Sequence, residues 1–241
     1  MLRGMGLLAA VQFDSPILWA CFIGWIMSVV IHEFAHGIVA HWGGDYTIRE
    51  RGGLTLNPLQ YIDPFGSLIL PAIIFLIGGV PLPGAATYIR TDLLRSKLWE
   101  SAVSAAGPIS NVLIGLVCLL PLVAGWVPIG DSPVNSTPFA LFLGTMVLLQ
   151  ALAVMINLLP VPPLDGFGII RPYFDRDFQE KTQHPQVAFF GILIVFFILT
   201  QTGLFSGFIQ VLYDTMIRVG VDPDRAAFPV DAFNFVLFGR T

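Results

Sequence analysis

The chain alternates long apolar runs with short, polar, turn-rich connectors. Four runs are long enough to cross a bilayer as helices, which takes roughly 20 apolar residues. They cover residues 17–40, 102–127, 139–159 and 187–212, the last interrupted by Thr200, Gln201, Thr202 and Gly203. A fifth run, 66–80, has only 15 residues and contains Pro71. Proline removes a helix hydrogen bond, and a run this short reads as a re-entrant or interfacial piece as readily as a span. The connectors 49–63 and 78–90 carry β-leaning pieces, "LTL" and "YI" among them, that predict short strands beside the bundle. From Asp214 onward charges mix with aromatics, and that tail is expected outside the bilayer.

Composition turns these runs into a class. Of 241 residues, 55% are hydrophobic and 12% charged, with a mean hydropathy of +0.78; soluble domains carry about 25% charged residues. The pattern predicts an all-α polytopic membrane protein with four to six membrane helices. A re-entrant or interfacial segment and short β-strand pieces fall between its first two core helices. Residues 1–16 are expected to be an interfacial segment, retained because they lack an A-x-A cleavage site. Residues 17–172 form the core, and 173–241 an additional membrane helix and tail. A net charge of -4 argues against nucleic acid as a partner. Cys21 and Cys118 lie in apolar runs and read as buried free thiols rather than metal ligands.

The first long run contains "SVVIHEFAHGIVAHWGG", residues 28–44. Ionisable groups inside a membrane helix are expensive and mark function by default. His32 and His36 are four apart, so on a helix both imidazoles reach one ion from the same face. Glu33, one step round, can reach a water on that ion without ligating it. This is the HExxH arrangement of zinc hydrolases, two histidine ligands with a glutamate general base. His41 reads as an interfacial residue rather than a ligand.

Catalytic zinc usually has three protein ligands, so a third is needed. Glu50, Glu100 and Glu180 are the other glutamates, and none sits in a fitting helical motif. In "NLLPVPPLDGFG", residues 157–168, Pro160, Pro162 and Pro163 must break the preceding helix. Asp165 follows, then Gly166, which is expected to free the backbone to turn. A carboxylate on a broken helix end at membrane depth is tolerated only if buried in protein or facing a wet cavity. Asp165 is therefore the best third ligand, against the plainer reading of a loop Asp-Gly turn.

Topology tests the pairing. The histidines lie late in the first span and Asp165 lies late beyond the third, so those two helices must run parallel. They do so only if residues 66–80 do not span. The basic residues favour the same choice. With 66–80 not spanning, Arg49, Arg51, Arg90, Arg95, Lys97, Arg171, Arg176 and Lys181 share the metal's side, and Arg3, Arg218, Arg225 and Arg240 the other. The metal is then expected nearer the cytoplasmic face of a multi-pass inner-membrane protein.

Three motifs in order, "HEFAH" at 32–36, "AAGPISN" at 105–111 and "NLLPVPPLDG" at 157–166, resemble the site-2 protease family of intramembrane zinc metalloproteases. The stretch "LTLNPLQYIDPFGS" at 54–67 is similar to its compact bacterial members. The resemblance covers roughly residues 17–172. It implies that His32, His36 and Asp165 bind one Zn2+ per chain and that Glu33 is the general base. It implies that Asn157 helps hold substrate or the developing oxyanion. Asn111, matching the family's GPxxN, either lines the site or is a helix-packing residue, and Gly166 completes the LDG turn. The implied partners are a lipid bilayer and a single-span membrane protein substrate. Unlike many members, the chain shows no extra span before the histidine helix and no room for a PDZ domain or a CBS pair, so a minimal core is expected. The rival readings are an inactive membrane scaffold and an ion or solute transporter. A transporter would carry further intramembrane charges, and spans 102–127, 139–159 and 187–212 have almost none.

Overall fold

The computed structural model describes residues 15–62, 87–182 and 184–239. Its frame is three long helices: α1 (Pro16–Gly43), α3 (Lys97–Val123) and α4 (Pro138–Asn157). Between α1 and α3 lies only a single-turn α2 (Thr47–Glu50) among described residues. After α4 come α5 (Asp165–Ile170), α6 (Arg176–Thr182), α7 (Pro185–Gln201), α8 (Leu204–Arg218) and α9 (Pro223–Phe238). Proline opens α1 and α4 at their first positions, where its missing N–H costs nothing. The hydroxyls of Ser96 and Thr137 cap α3 and α4 by accepting from the N–H of Trp99 and Ala140.

Helix α3 packs between α1 and α4. The early part of α1 (Cys21), the late part of α3 (Cys118, Leu122) and the early part of α4 (Leu141, Leu143) share one buried cluster. At the other end, the N–H of Arg95 donates to Gly43 O at 2.9 Å, so the chain enters α3 where it left α1. Thus α1 and α4 run parallel, with α3 antiparallel between them. Both cysteines are free and buried.

These three helices are each long and apolar enough to cross a membrane, and a fourth is gained if α6 and α7, bent by 73°, form one span. On α3, Ile109, Leu113, Val117 and Leu120 form an exposed apolar stripe. A stripe like this is at home against lipid and would be a liability in water. The chain is an all-α membrane protein.

Two expectations are corrected, and the place of the tail in the bundle is added. There is no strand among the described residues: 49–62 fold instead as the end of α2, a run of turns and a 3-10 turn at Pro58–Gln60 capped by Asn57. Gly52, Gly53 and Pro58 punctuate this stretch, and local turn bonds outcompete a ladder. Residues 63–86, which include the 66–80 run and most of the second strand expectation, lie outside the described residues, as does 1–14. The run 187–212 is not one helix but α7 and α8, broken at Gly203 with φ +64°. Finally, the tail is no appendage. Helix α9 buries Phe228, Ala232 and Val236 in the main cluster, and a Cβ on Gly144 of α4 would come within 2.9 Å of Ala232.

One buried carboxylate ties the connector to the end of α1. Asp45 is fully buried and accepts from Thr47 Oγ1, from Arg51 at 2.8 Å and from the N–H of Arg90 at 2.9 Å. Burial alone would raise its carboxyl. These donors and the Arg51 charge outweigh that and hold it below the usual carboxylate range. Such a depressed group stabilises the fold above the usual range and loses that contribution as pH falls through its lowered value. We expect Asp45→Ala to cost about 2 kcal/mol near neutral pH, read by thermal or denaturant unfolding in detergent. The gap from wild type should narrow in acid; a gap that widened in acid would contradict the assignment.

Candidate metal centre

Helix geometry brings the two histidines together as their spacing predicts. His32 and His36 stack edge to face on the buried side of α1, with ring centroids 4.7 Å apart and Nε2 atoms 3.0 Å apart. Each ring is anchored through its other nitrogen. His36 Nδ1 lies 2.7 Å from the Val103 carbonyl, which can only accept, so Nδ1 carries the hydrogen. His32 Nδ1 lies 2.5 Å from Asn111 Oδ1 and is a donor for the same reason. A neutral ring with its hydrogen on Nδ1 presents a bare lone pair on Nε2. Both lone pairs therefore face the same space.

Asp165 completes the group. Its Oδ2 is 3.1 Å from His32 Nε2 and its Oδ1 is 3.4 Å from His36 Nε2. Oδ2 is buried and accepts no hydrogen bond among the described residues. Three donor atoms of His32, His36 and Asp165 thus lie close enough to share one ion. Donors at tetrahedral corners about 2.1 Å from zinc are roughly 3.4 Å apart. The two nitrogens are 3.0 Å apart and each has a carboxylate oxygen of Asp165 at 3.1 or 3.4 Å, near that spacing, so the residues fit the ion.

Asp165 is placed by contacts that the sequence reading did not foresee. It is the first residue of α5, not a loop residue. Ser101 Oγ donates to the Ile169 carbonyl at 2.7 Å, and Arg171 pairs with Glu100 at 2.5 Å. Both bonds fasten α5 to the start of α3, and Glu100 is thereby engaged away from the metal group. Gly166 is corrected in role. It is helical rather than a turn residue with unusual φ. A Cβ there would lie 2.2 Å from the Leu158 carbonyl oxygen, so glycine is needed for the end of α4 to touch the start of α5.

Gly107 is a second close approach. A Cβ on it would sit 2.4 Å from Nε2 of both His32 and His36, in the space that the lone pairs share. The histidines cannot swing aside without giving up their Nδ1 anchors. The signal for it in the sequence is a Gly-Pro pair inside an otherwise unbroken apolar helix.

The remaining expected residues are distributed as follows. Glu33 is buried beside His32, and its carboxylate makes no hydrogen bond or ion pair among the described residues; its backbone carbonyl accepts from Thr87 at 3.3 Å. Asn157 is the last residue of α4, and its side chain makes no hydrogen bond among the described residues. His41 packs edge-on against Tyr46 and stays outside the group. Asn111 hydrogen-bonds His32 directly.

Comparison with known proteins bears on the same chemistry. A protein of Mycolicibacterium smegmatis named "Putative zinc metalloprotease Rip2" is 36% identical over 190 residues, 79% of this chain and 70% of that protein. Its namesake in Mycobacterium tuberculosis is 34% identical over 192 residues, 79% of this chain and 71% of that protein. The chain belongs to the site-2 protease family. "Putative zinc metalloprotease YwhC" of Bacillus subtilis is a further relative, 33% identical over 71% of this chain and 77% of its own length. No family model and no solved structure matches. This site-2 protease homologue is accordingly a zinc metalloprotease, with zinc as its cofactor.

If the gap over Gly107 is what admits the ion, filling it should empty the site with every ligand still in place. Gly107→Ala is expected to weaken zinc binding by at least about 100-fold, the upper end of what displaced ligands cost. Metal analysis of purified protein checks this, and wild-type zinc content in the variant would refute it.

Proposed function

We propose that the chain is an intramembrane zinc endopeptidase that cleaves single-span membrane proteins within the bilayer. In this reading His32, His36 and Asp165 hold one zinc ion. The observation that carries it is the meeting of three bare donor atoms between helices of membrane-spanning length. A transporter reading gives no role to a helix broken so that its far side returns a carboxylate to two histidines.

Zinc held there would supply a Lewis acid and bring the pKa of a water down towards neutrality. Glu33, buried and with its carboxylate unengaged among the described residues, is the general base that takes a proton from the attacking water. The same carboxylate then delivers it to the leaving nitrogen. Asn157, also unengaged, offers an amide N–H to the developing oxyanion from the stretch that leads into Asp165. Gly166 acts through Asp165 by allowing its helix to seat, and Asn111 acts through His32.

A helical substrate has its carbonyls already hydrogen-bonded, so the segment to be cut must unwind first. The protein is multi-pass in the inner membrane, with the centre nearer the cytoplasmic face. In support, Arg51, Arg90 and Arg95 cluster at the end of α1 that carries the histidines, whereas Arg225 bonds to Leu122 O at the opposite end of α3.

Glu33→Gln should keep zinc at the wild-type level and lower cleavage of a single-span substrate in liposomes by 10²–10⁴-fold, the usual worth of a positioned base. Cleavage at the wild-type rate by the variant would end this mechanism.

A further inference from the structure

Helix α4 carries an amide, Gln150, in the middle of an apolar run, and it is almost entirely buried, at 1% exposure. Its Oε1 accepts from Asn111 Nδ2 at 2.6 Å. Asn111 in turn presents Oδ1 to His32 Nδ1 at 2.5 Å. The three side chains form a line across three helices, α4 to α3 to α1, ending on the donor nitrogen of the metal group. A polar residue placed at such depth in a membrane helix generally finds a partner across the interface.

The line has a direction. An asparagine amide has one end that only accepts and one that only donates. If Asn111 turned its NH2 towards His32, Nδ1 of that ring would have to be the acceptor. The ring hydrogen would then sit on Nε2 and point into the space shared with His36 and Asp165. That tautomer cannot ligate. Nothing in Asn111 itself chooses between the two orientations, because its two ends are nearly the same size. In the structure Gln150 presents Oε1, which accepts from Nδ2 and holds Asn111 in place with Oδ1 facing the ring.

We propose that Gln150 is a positioning residue for the metal centre: through Asn111 it holds the His32 ring in the orientation that aims Nε2 at the space shared with His36 and Asp165. This rests on the reading that His32 is a zinc ligand. Gln150 does not touch the ion or the substrate; its effect runs through two hydrogen bonds. The partners behind metal-bound histidines commonly set ring orientation and change metal affinity by 10–100-fold.

The test measures zinc affinity of full-length protein in detergent by competition with a chromogenic chelator. Gln150→Met keeps the length and bulk of the side chain and removes the acceptor. It should weaken zinc binding by 10–100-fold, with the unfolding temperature of the chelator-treated protein close to wild type. The informative background is Asn111→Ala, which removes the side chain that links Gln150 to His32. In that background Gln150→Met should change zinc affinity by no more than about threefold. A role in packing alone would carry the same penalty in both backgrounds, which would overturn the proposal, as would wild-type affinity in the single Gln150→Met variant. His32→Ala tests the underlying reading separately: unchanged zinc affinity there would remove His32 from the ligand set whatever Gln150 does.

Discussion

Three electron pairs, from His32 Nε2, His36 Nε2 and Asp165, face one another at about the distance of a hydrogen bond with no hydrogen between them. By themselves they repel. The arrangement holds because each histidine is pinned from behind, His36 by the Val103 carbonyl and His32 by Asn111. Asp165 is pinned through its helix, by Ser101 and by the Glu100–Arg171 pair. Every one of those anchors comes from α3 or from a residue bonded to it. Helix α3 therefore does more than fill the bundle: it sets the metal group's geometry from the side opposite the ion.

Helices normally pack with axes 8–10 Å apart, held off by their side chains. The centre needs two approaches closer than side chains permit, and both are made by glycine. At Gly107 the backbone of α3 leaves room over the imidazoles, and at Gly166 the start of α5 lies on the last carbonyls of α4. The conformational freedom of glycine is used at neither position, since both are helical. What matters is the missing carbon atom. Glycine in a helix interior costs roughly 0.5–1 kcal/mol relative to alanine, and that cost is accepted where it admits an ion or a carboxylate.

The parts that could be read from the sequence are those governed by local rules. The i, i+4 histidines, the proline-broken helix before Asp165 and the three long spans all depend on periodicity or on one residue's backbone chemistry. They reappear with small boundary shifts. The parts that could not be read depend on which distant surfaces meet. Gln150 is one polar residue among apolar ones until α4 lies against α3. Helix α9 has charges near its start and looks like a tail, yet Phe228 and Ala232 find a groove at Gly144. The connector after α2 has strand-like residue types, but its glycines and prolines favour turns, and Asp45 gathers the connector's donors instead of a neighbouring strand.

Charge balance links the centre to the stability of the whole fold. Around the histidines, among the described residues, Glu33 and Asp165 have no lysine or arginine partner, whereas Glu100 is matched by Arg171 and Asp45 by Arg51. Two carboxylates at this depth carry a large desolvation cost when left uncompensated. A divalent ion held as proposed would bring the local sum to zero without any lysine or arginine. The rest of the network, Asn111 and Gln150, is neutral and adds no charge of its own. An ion that bound the assembled group and not the dispersed residues would add its binding free energy to folding. In that reading the proposed catalytic centre is also the electrostatic keystone of the helices that build it.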